Sequence, residues 1–413
     1  VGNHQEQILD FRLDLWYIKN RYRYRERYRE RYQRIGQVPI YPQDLQMSNS
    51  TQERPSIRDV ACQAGVSVST VSRVLNARPD VAPATRERIL KAIAELNYHP
   101  NAQAVGLSRR RTGVVGLVVS DMITPFCTSI IQSVQNSLRE RGYWMLLAAH
   151  RLLYEQDVHL QARLVEELGR SRRIDGLLVL TPMESSLEIL RVMAREELPS
   201  VLIDMQYDGS ELNYIAVDNY QGGYLATEYL LQLGYRDIAI LCGPDWMRVS
   251  HDRLAGYKAA LQDWRVPICP EWIVSGEGFN EGAGRRAMHT LLETGHQPRA
   301  IFASDDLIAF GAMAVLDEEG AELRVPEDIA FVGYDDIPAA ASFRPPLTTV
   351  HQPLDCMGQL AVEHLCHLIA GETDELLQVT MGTELVVRAS CGADGSPQVA
   401  MALSDSTERA LTL

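Results

Sequence analysis

Three observations predict an all-α helix-turn-helix headpiece followed by an α/β core of doubly wound parallel sheets. Residues 56–76, SIRDVACQAGVSVSTVSRVLN, hold two short helical periods broken by one glycine. From Gly113 onward, continuous apolar runs alternate with amphipathic helical stretches, the pattern of buried parallel strands covered by helices on both faces. The charge is also divided: residues 51–111 carry a net +5 and residues 112–413 a net −22, within a 413-residue chain of net −14. A basic module that can touch phosphate thus stands beside an acidic one that has no need to, although a solvated helix with surplus arginine would give the first number as well.

Residues 1–50 add a net +3 and contain the tract RYRYRERYRERYQR at 21–34, with Tyr24, Tyr28 and Tyr32 at helical spacing. No apolar face large enough to pack occurs before Met47. Residues 1–46 therefore read as a disordered or non-native extension, either a tail or the product of an over-extended start, in preference to an accessory basic helix. Seven cysteines are scattered without a Cys-x-x-Cys pair, which speaks against a disulfide framework or zinc site and for reduced packing residues. No apolar run approaches bilayer length and no signal peptide opens the chain, so a cytoplasmic, nucleoid-associated protein without a membrane partner is expected.

Ser56 and Asp59 form a capping pair, after which Ile57, Val60, Ala61 and Ala64 make one apolar stripe. Gly65 breaks that helix and Ser67 caps the next. Val71, Val74 and Leu75 face inward there, while Ser69, Ser72, Arg73 and Asn76 share the opposite side. A helical hairpin in a bundle needs no more than this. A third helix opened by Pro83, with Ile89, Ile93 and Leu96 on one face, completes a unit over 55–100 whose second helix suits the major groove. Val68 is able to touch a thymine methyl and Arg73 to grip guanine O6 and N7. Residues 101–111 read as a hinge, with Asn101 as cap, Leu107 isolated and Arg109, Arg110 and Arg111 behind it.

In the core, GVVGLVV, WMLLAA, GLLVL, SVLID, IAILC, AIFAS and IAFVGYD are the expected strands, and some 280 residues suggest two lobes with a cleft between them. Ligands of such sheets bind beyond the strand C-termini, where Ser120, Asp121, His150, Arg151, Thr181, Asp204, Asp305, Asp306, Asp335 and Asp336 fall. Asp121, Asp305 and Asp336 are equally suited to capping the next helix; several acids together with an arginine and an aromatic make a polyol site. No nucleophile elbow, phosphate-cradling loop or metal-spaced histidine pair is present, so neither catalysis nor a cofactor nor a metal is expected. The pairs Gly222–Gly223 and Gly282 with Gly284 read as tight helix packing.

The run IRDVACQAGVSVSTVSRVLN followed by TRERILKAIAELNYHPNAQAVGL resembles the headpiece and hinge of the lactose/galactose repressor family, and the resemblance continues to about residue 392. It implies a sequence-specific regulator, most often a repressor, binding double-stranded operator DNA as a homodimer. Val68, Ser69, Thr70, Ser72, Arg73 and Asn76 would lie in the major groove, with Ala104 and Leu107 in the minor groove. Val105 stands where many members have arginine, with Arg109 to Arg111 as compensation. The core at 112–392 would be periplasmic-binding-protein-like, with lobes at about 112–214 plus 351–377 and 215–350 plus 378–392. Asp204, Arg253, Asp306 and Asp335 would hydrogen-bond a small-molecule effector lined by Phe126 and Phe279. Asp305, in place of the usual asparagine, favours a neutral sugar or polyol over a phosphorylated one. Residues 393–413 lack a leucine heptad, implying a frayed tail and a dimer without a tetramerising bundle. The alternatives are an activator or a response to a non-sugar metabolite. Less favoured are a sugar-binding transport protein, a sugar-processing enzyme and redox control through Cys62.

Overall fold

The computed structural model describes residues 55–75, 78–98, 111–119, 124–149, 155–170, 172–180, 192, 193, 195, 198–206, 211–295, 297–318, 323–393 and 399–400. In the N-terminal unit the Asp59 carboxylate accepts the Ser56 N–H at 2.7 Å and the Ser56 hydroxyl at 2.8 Å, opening α1 (Ile57–Ala64). Gly65 ends it at φ +65°, the left-handed cap that a side chain disfavours. The Ser67 hydroxyl accepts from Thr70 N at 3.2 Å at the start of α2 (Val68–Leu75), and α3 (Pro83–Glu95) begins on its proline. Val60, Val71 and Ile89 are fully buried and pack with Val74, Ala92 and Tyr98. Cys62 corrects an expectation: it falls just off the apolar stripe of α1 and is exposed.

The second unit contains two sheets. The first has the order β11-β5-β4-β3-β1-β2, with β1 at Val114–Val119, β2 at Trp144–Ala149, β3 at Gly176–Leu180, β4 at Ser200–Ile203, β5 at Tyr214–Val217 and β11 at Gln378–Met381. All its neighbours pair in parallel. Helices α4 (Pro125–Glu140), α5 (Glu155–Arg170) and α11 (Leu354–Ala370) belong to this lobe. Ile130, Val134, Met357 and Leu365 pack against Leu117 and Leu178 in its core.

The second sheet has the order β13-β12-β10-β9-β8-β6-β7, from β6 (Ile238–Cys242), β7 (Ile273–Ser275), β8 (Ala300–Ala303), β9 (Ala330–Asp335), β10 (Thr348–His351), β12 (Glu384–Val386) and β13 (Val399–Ala400). Only the β10/β12 and β12/β13 pairs are antiparallel. Helices α6 (Asn219–Gln232), α7 (Arg248–Asp263), α8 (Glu281–Glu293), α9 (Asp306–Glu318) and α10 (Pro338–Ser342) complete this lobe. Helices α6 and α7 touch backbone to backbone: a Cβ on Gly223 would strike the Arg253 carbonyl, and one on Gly256 the Tyr220 carbonyl. Gly284 meets the Ile308 backbone in the same way, whereas Gly222 abuts Tyr334 and Gly282 faces only polar side chains.

Two boundaries differ from the sequence expectation. Tyr214–Val217 and Gln378–Met381 pair with each other in the first sheet, so the chain crosses after Val217, between His351 and Leu354, and after Met381. Four-residue strands are too short for periodicity to assign to a lobe. Within the expected tail, Val399 and Ala400 form β13 on the open edge of β12.

Candidate functional site

Arg253 of α7 is the centre of a buried polar cluster, itself only 5% exposed. Its Nε donates to Asn219 Oδ1 at 2.8 Å and its Nη1 to the Ser304 carbonyl at 2.6 Å, while Nη2 lies 3.8 Å from Asp335 Oδ1. The guanidinium rests 3.6 Å from the Tyr334 ring centroid and 5.7 Å from that of Phe279, where a planar cation is attracted by the ring faces.

Carboxylates surround this cation. Asp335 ends β9 at φ +110° and accepts Gln352 Nε2 at 2.5 Å. Asp305 caps α9, taking Leu307 N at 2.7 Å and Ile308 N at 3.2 Å on Oδ1, and hydrogen-bonds Asp335. Burial pushes both acids above the usual carboxylate range; the Asp305 charge raises Asp335 further and Arg253 opposes the rise. Asp204, at the end of β4 in left-handed backbone (φ +61°), is raised to about 6 by burial against the pull of Arg253. Among the described residues, the buried hydroxyls of Ser250, Ser304, Tyr334 and Thr383 and the Gln352 Oε1 have no hydrogen-bond partner. Unmet buried groups of this kind are rare in a finished interior and mark a place where a polar ligand or water completes the bonding. Acceptors, one pinned cation, free hydroxyls and aromatic faces together can hold a small, uncharged, hydroxyl-rich molecule.

The sequence-predicted residues divide. Asp204, Arg253, Phe279 and Asp335 belong to this cluster. Phe126, on α4, is half-buried against the first lobe's core. Asp306 requires a correction: it has no exposed surface, its Oδ1 accepts the Thr349 hydroxyl at 2.6 Å and its Oδ2 accepts Ile337 N at 2.9 Å. It ties α9 to β10 and the start of α10 through both oxygens; burial raises its pKa to about 8. Of the two acids in the SDD motif, Asp305 faces Asp335 and Arg253. Asp336 points elsewhere, to Arg388 Nη2 at 2.6 Å and His351 Nδ1 at 3.0 Å. Ser120, Asp121, His150, Arg151 and Thr181 lie outside the described residues.

Sequence reasoning missed Asn219, Ser250, Ser304, Tyr334 and Gln352. Ser250 stands one helical turn before Arg253 and was open to detection by that spacing. Tyr334 reads as an ordinary strand interior, and its stacking on Arg253 has no one-dimensional signal.

In the N-terminal unit, α2 buries Val71 and Val74 and exposes Val68, Ser69 and Arg73, with Thr70 and Ser72 half-buried. The Ser67 hydroxyl is 2.8 Å from those of both Ser69 and Thr70. Arg73 Nη1 lies 3.5 Å from Asp80 Oδ2, an exposed pair of small energetic weight that leaves the guanidinium available to another partner. Asn76, Ala104 and Leu107 lie outside the described residues, as do Arg109 and Arg110. Arg111 is exposed and donates to the Ile369 carbonyl at 2.8 Å. No described helix is long and apolar enough to cross a membrane, and no described acidic, histidine or cysteine cluster could hold a metal.

Comparison with known proteins bears on both parts. The model of the bacterial regulatory proteins, lacI family, matches residues 56–101, and that of the periplasmic binding protein-like domain matches residues 227–391. The HTH-type transcriptional repressor PurR of Proteus mirabilis (strain HI4320) is 36% identical over 342 residues, covering 82% of this chain and 97% of the relative. Among solved structures, a transcriptional regulator CelR–cellobiose complex has a TM-score of 0.60 at 36% identity, over 82% of this chain and 100% of the other. The lac repressor dimer bound to operator and the anti-inducer ONPF has a TM-score of 0.73 at 29% identity, over 82% and 99%.

Proposed function

This chain belongs to the lacI family of bacterial regulatory proteins and is an effector-binding transcriptional repressor, not an enzyme; from that premise we propose that its effector is a neutral sugar or polyol held at the Arg253 cluster. The observation that carries the proposal is the setting of Arg253. Its guanidinium is held by Asn219, the Ser304 carbonyl and the Tyr334 face, and is outnumbered by Asp204, Asp305 and Asp335. Burial already drives these acids toward their protonated forms, and a phosphorylated or carboxylated ligand would add a negative charge to the same site. A sugar instead supplies hydroxyl donors to the carboxylates and acceptors to Ser250, Ser304 and Tyr334, with Phe279 against its apolar face.

The repressor acts as a cytoplasmic homodimer on a pseudo-palindromic operator. Each headpiece places α2 in a major groove, where Val68, Ser69, Thr70, Ser72, Arg73 and Asn76 are the reading set, and Ala104 and Leu107 serve in the hinge. The outer strand β2 leaves Trp144 79% exposed and Leu146 partly so, apolar surface suited to a second copy. Effector binding in the core shifts operator affinity, and operator binding shifts effector affinity by the same factor.

A thermal-shift panel on the full chain tests the effector class. It comprises cellobiose, a monosaccharide, a sugar alcohol, a sugar phosphate and a purine base, whose flat face and N–H donors also suit Phe279 and the carboxylates. A ligand at a hundred times its Kd stabilises the folded state by about 2.7 kcal/mol. The expected result is a rise with an uncharged saccharide or polyol and none with the phosphate. A rise confined to the purine or the phosphate overturns the assignment.

A further inference from the structure

The lobes are joined by three short connections, and any rotation between them must be absorbed there. In the first, the Asp218 carboxylate caps α6 by accepting Gln221 N at 2.8 Å. In the last, the Thr383 hydroxyl is buried without a partner. The middle connection consists of Gln352 and Pro353, between β10 in the second sheet and α11 in the first lobe. Gln352 is 1% exposed, its carbonyl accepts Leu354 N at 2.8 Å, and Pro353 fixes the next φ at −78°. Its backbone is therefore a tight joint with little slack. Its side chain reaches the ligand-facing cluster: Nε2 donates to Asp335 Oδ1 at 2.5 Å, and Oε1 is buried with no partner. Of the described connection residues, it alone hydrogen-bonds a carboxylate that faces Arg253.

We propose that Gln352 is the positioning residue that couples the effector to the lobe connection: Nε2 orients Asp335, and Oε1 accepts a hydroxyl or water hydrogen when the cleft is occupied. This rests on the reading of the Arg253 cluster as the effector site. A ligand donor on Oε1 fixes the amide, and the amide fixes the backbone of the joint through which the first lobe turns. The occupied and empty clefts then differ in the freedom of that joint, which is the differential interaction that a ligand-driven shift requires.

The test uses the full chain and two variants. Gln352→Leu keeps approximate volume and removes both polar atoms. Gln352→Glu keeps the shape, repels Asp335 when ionised and restores a donor when protonated. Operator affinity is measured with and without cellobiose, or with whichever panel compound binds the wild type more tightly, at pH 5.5 and pH 8. Asp305, Asp306, Arg253 and the Asp336, His351 and Arg388 group carry charge nearby, so the wild type is measured at both pH values as reference. Effectors commonly change partner affinity by about five- to 150-fold. The expected outcome is a ratio of about fivefold or more in the wild type and below about twofold in Gln352→Leu. The ligand-free operator affinity of each variant is the reference for its own ratio. Gln352→Glu should respond at pH 5.5 and not at pH 8, a recovery that a merely structural role would not produce. A wild-type ratio in Gln352→Leu, or in Gln352→Glu at pH 8, overturns the coupling role alone. A wild type that responds to no panel compound overturns the reading of the cleft and this inference with it. If Gln352→Leu fails to fold, the pH dependence of Gln352→Glu decides.

Discussion

Replacing Asp306 by alanine would strand two buried donors, the Thr349 hydroxyl now 2.6 Å from Oδ1 and the Ile337 N–H now 2.9 Å from Oδ2. Each unsatisfied donor costs on the order of 1–3 kcal/mol, so the loss of folding free energy is roughly 2–6 kcal/mol. Asparagine behaves differently, because its Oδ1 can accept from Ile337 N while its Nδ2 donates to the Thr349 oxygen. Both substitutions also remove a pH dependence that the wild type carries. Asp306 titrates near 8 in the folded chain against the ordinary 3.8 of a solvated aspartate, so between those values the folded state holds more protons than the unfolded one. The contribution of Asp306 to stability therefore falls as pH rises from about 4 to about 8, and Asp306→Ala and Asp306→Asn both remove that fall. Urea unfolding followed by tryptophan fluorescence at pH 5, 6.5 and 8 measures all three proteins. The expected order is alanine well below wild type and asparagine close to it at pH 5, with both gaining on wild type by pH 8 and alanine staying below asparagine throughout. Equal losses for alanine and asparagine, or an asparagine difference that does not change with pH, would refute the scaffold role.

Gly223→Ala forces a Cβ into the Arg253 backbone at the α6/α7 contact and should cost about 1–3 kcal/mol or more by overpacking; unchanged urea stability would contradict that contact. Arg73→Ala should weaken operator binding by about tenfold or more and relax selectivity at one base pair, read by anisotropy on single-base operator variants; a uniform loss across all variants would reassign Arg73 to phosphate contact. Because ionised Asp204 is the better acceptor for ligand hydroxyls, effector affinity should fall as pH drops through about 6, and Asp204→Asn should flatten that profile in calorimetric titrations. Asp335→Asn should leave operator binding intact and weaken effector binding, since it alters the carboxylate shared by Arg253, Asp305 and Gln352; unchanged effector affinity would place the ligand elsewhere.

The long apolar runs were legible because burial on both faces leaves a continuous signature: GLLVL and IAILC are β3 and β6. The headpiece was legible for a different reason. Its caps at Ser56 and Ser67 and its break at Gly65 are local backbone chemistry, visible without tertiary context. Strands such as TTVH and QVTM were not, being four residues long and part polar, with a place set by partners far along the chain. At the site, residue type and strand-end position identified Arg253, Asp204 and Asp335. They could not tell which of Asp305 and Asp306 faces the cleft. Successive residues at a helix start point about 100° apart, and only packing against Thr349 and Ile337 decides which one turns inward. The orphaned hydroxyls and the Gln352 amide carry no sequence signal, because an unmet hydrogen bond is a property of surroundings.

The central claim is that one chain reads DNA with α2 and is tuned by an uncharged, hydroxyl-rich ligand at Arg253. The most direct measurement is the affinity of the full chain for a duplex enriched from a random pool, with and without the panel compound that most raises its melting temperature. The predicted result is a two-fold-symmetric enriched site whose affinity changes by about fivefold or more when a neutral saccharide or polyol is added, with the change lost in Asp335→Asn. Saturable binding of that compound with operator affinity unaltered, or an equal response in Asp335→Asn, would contradict it.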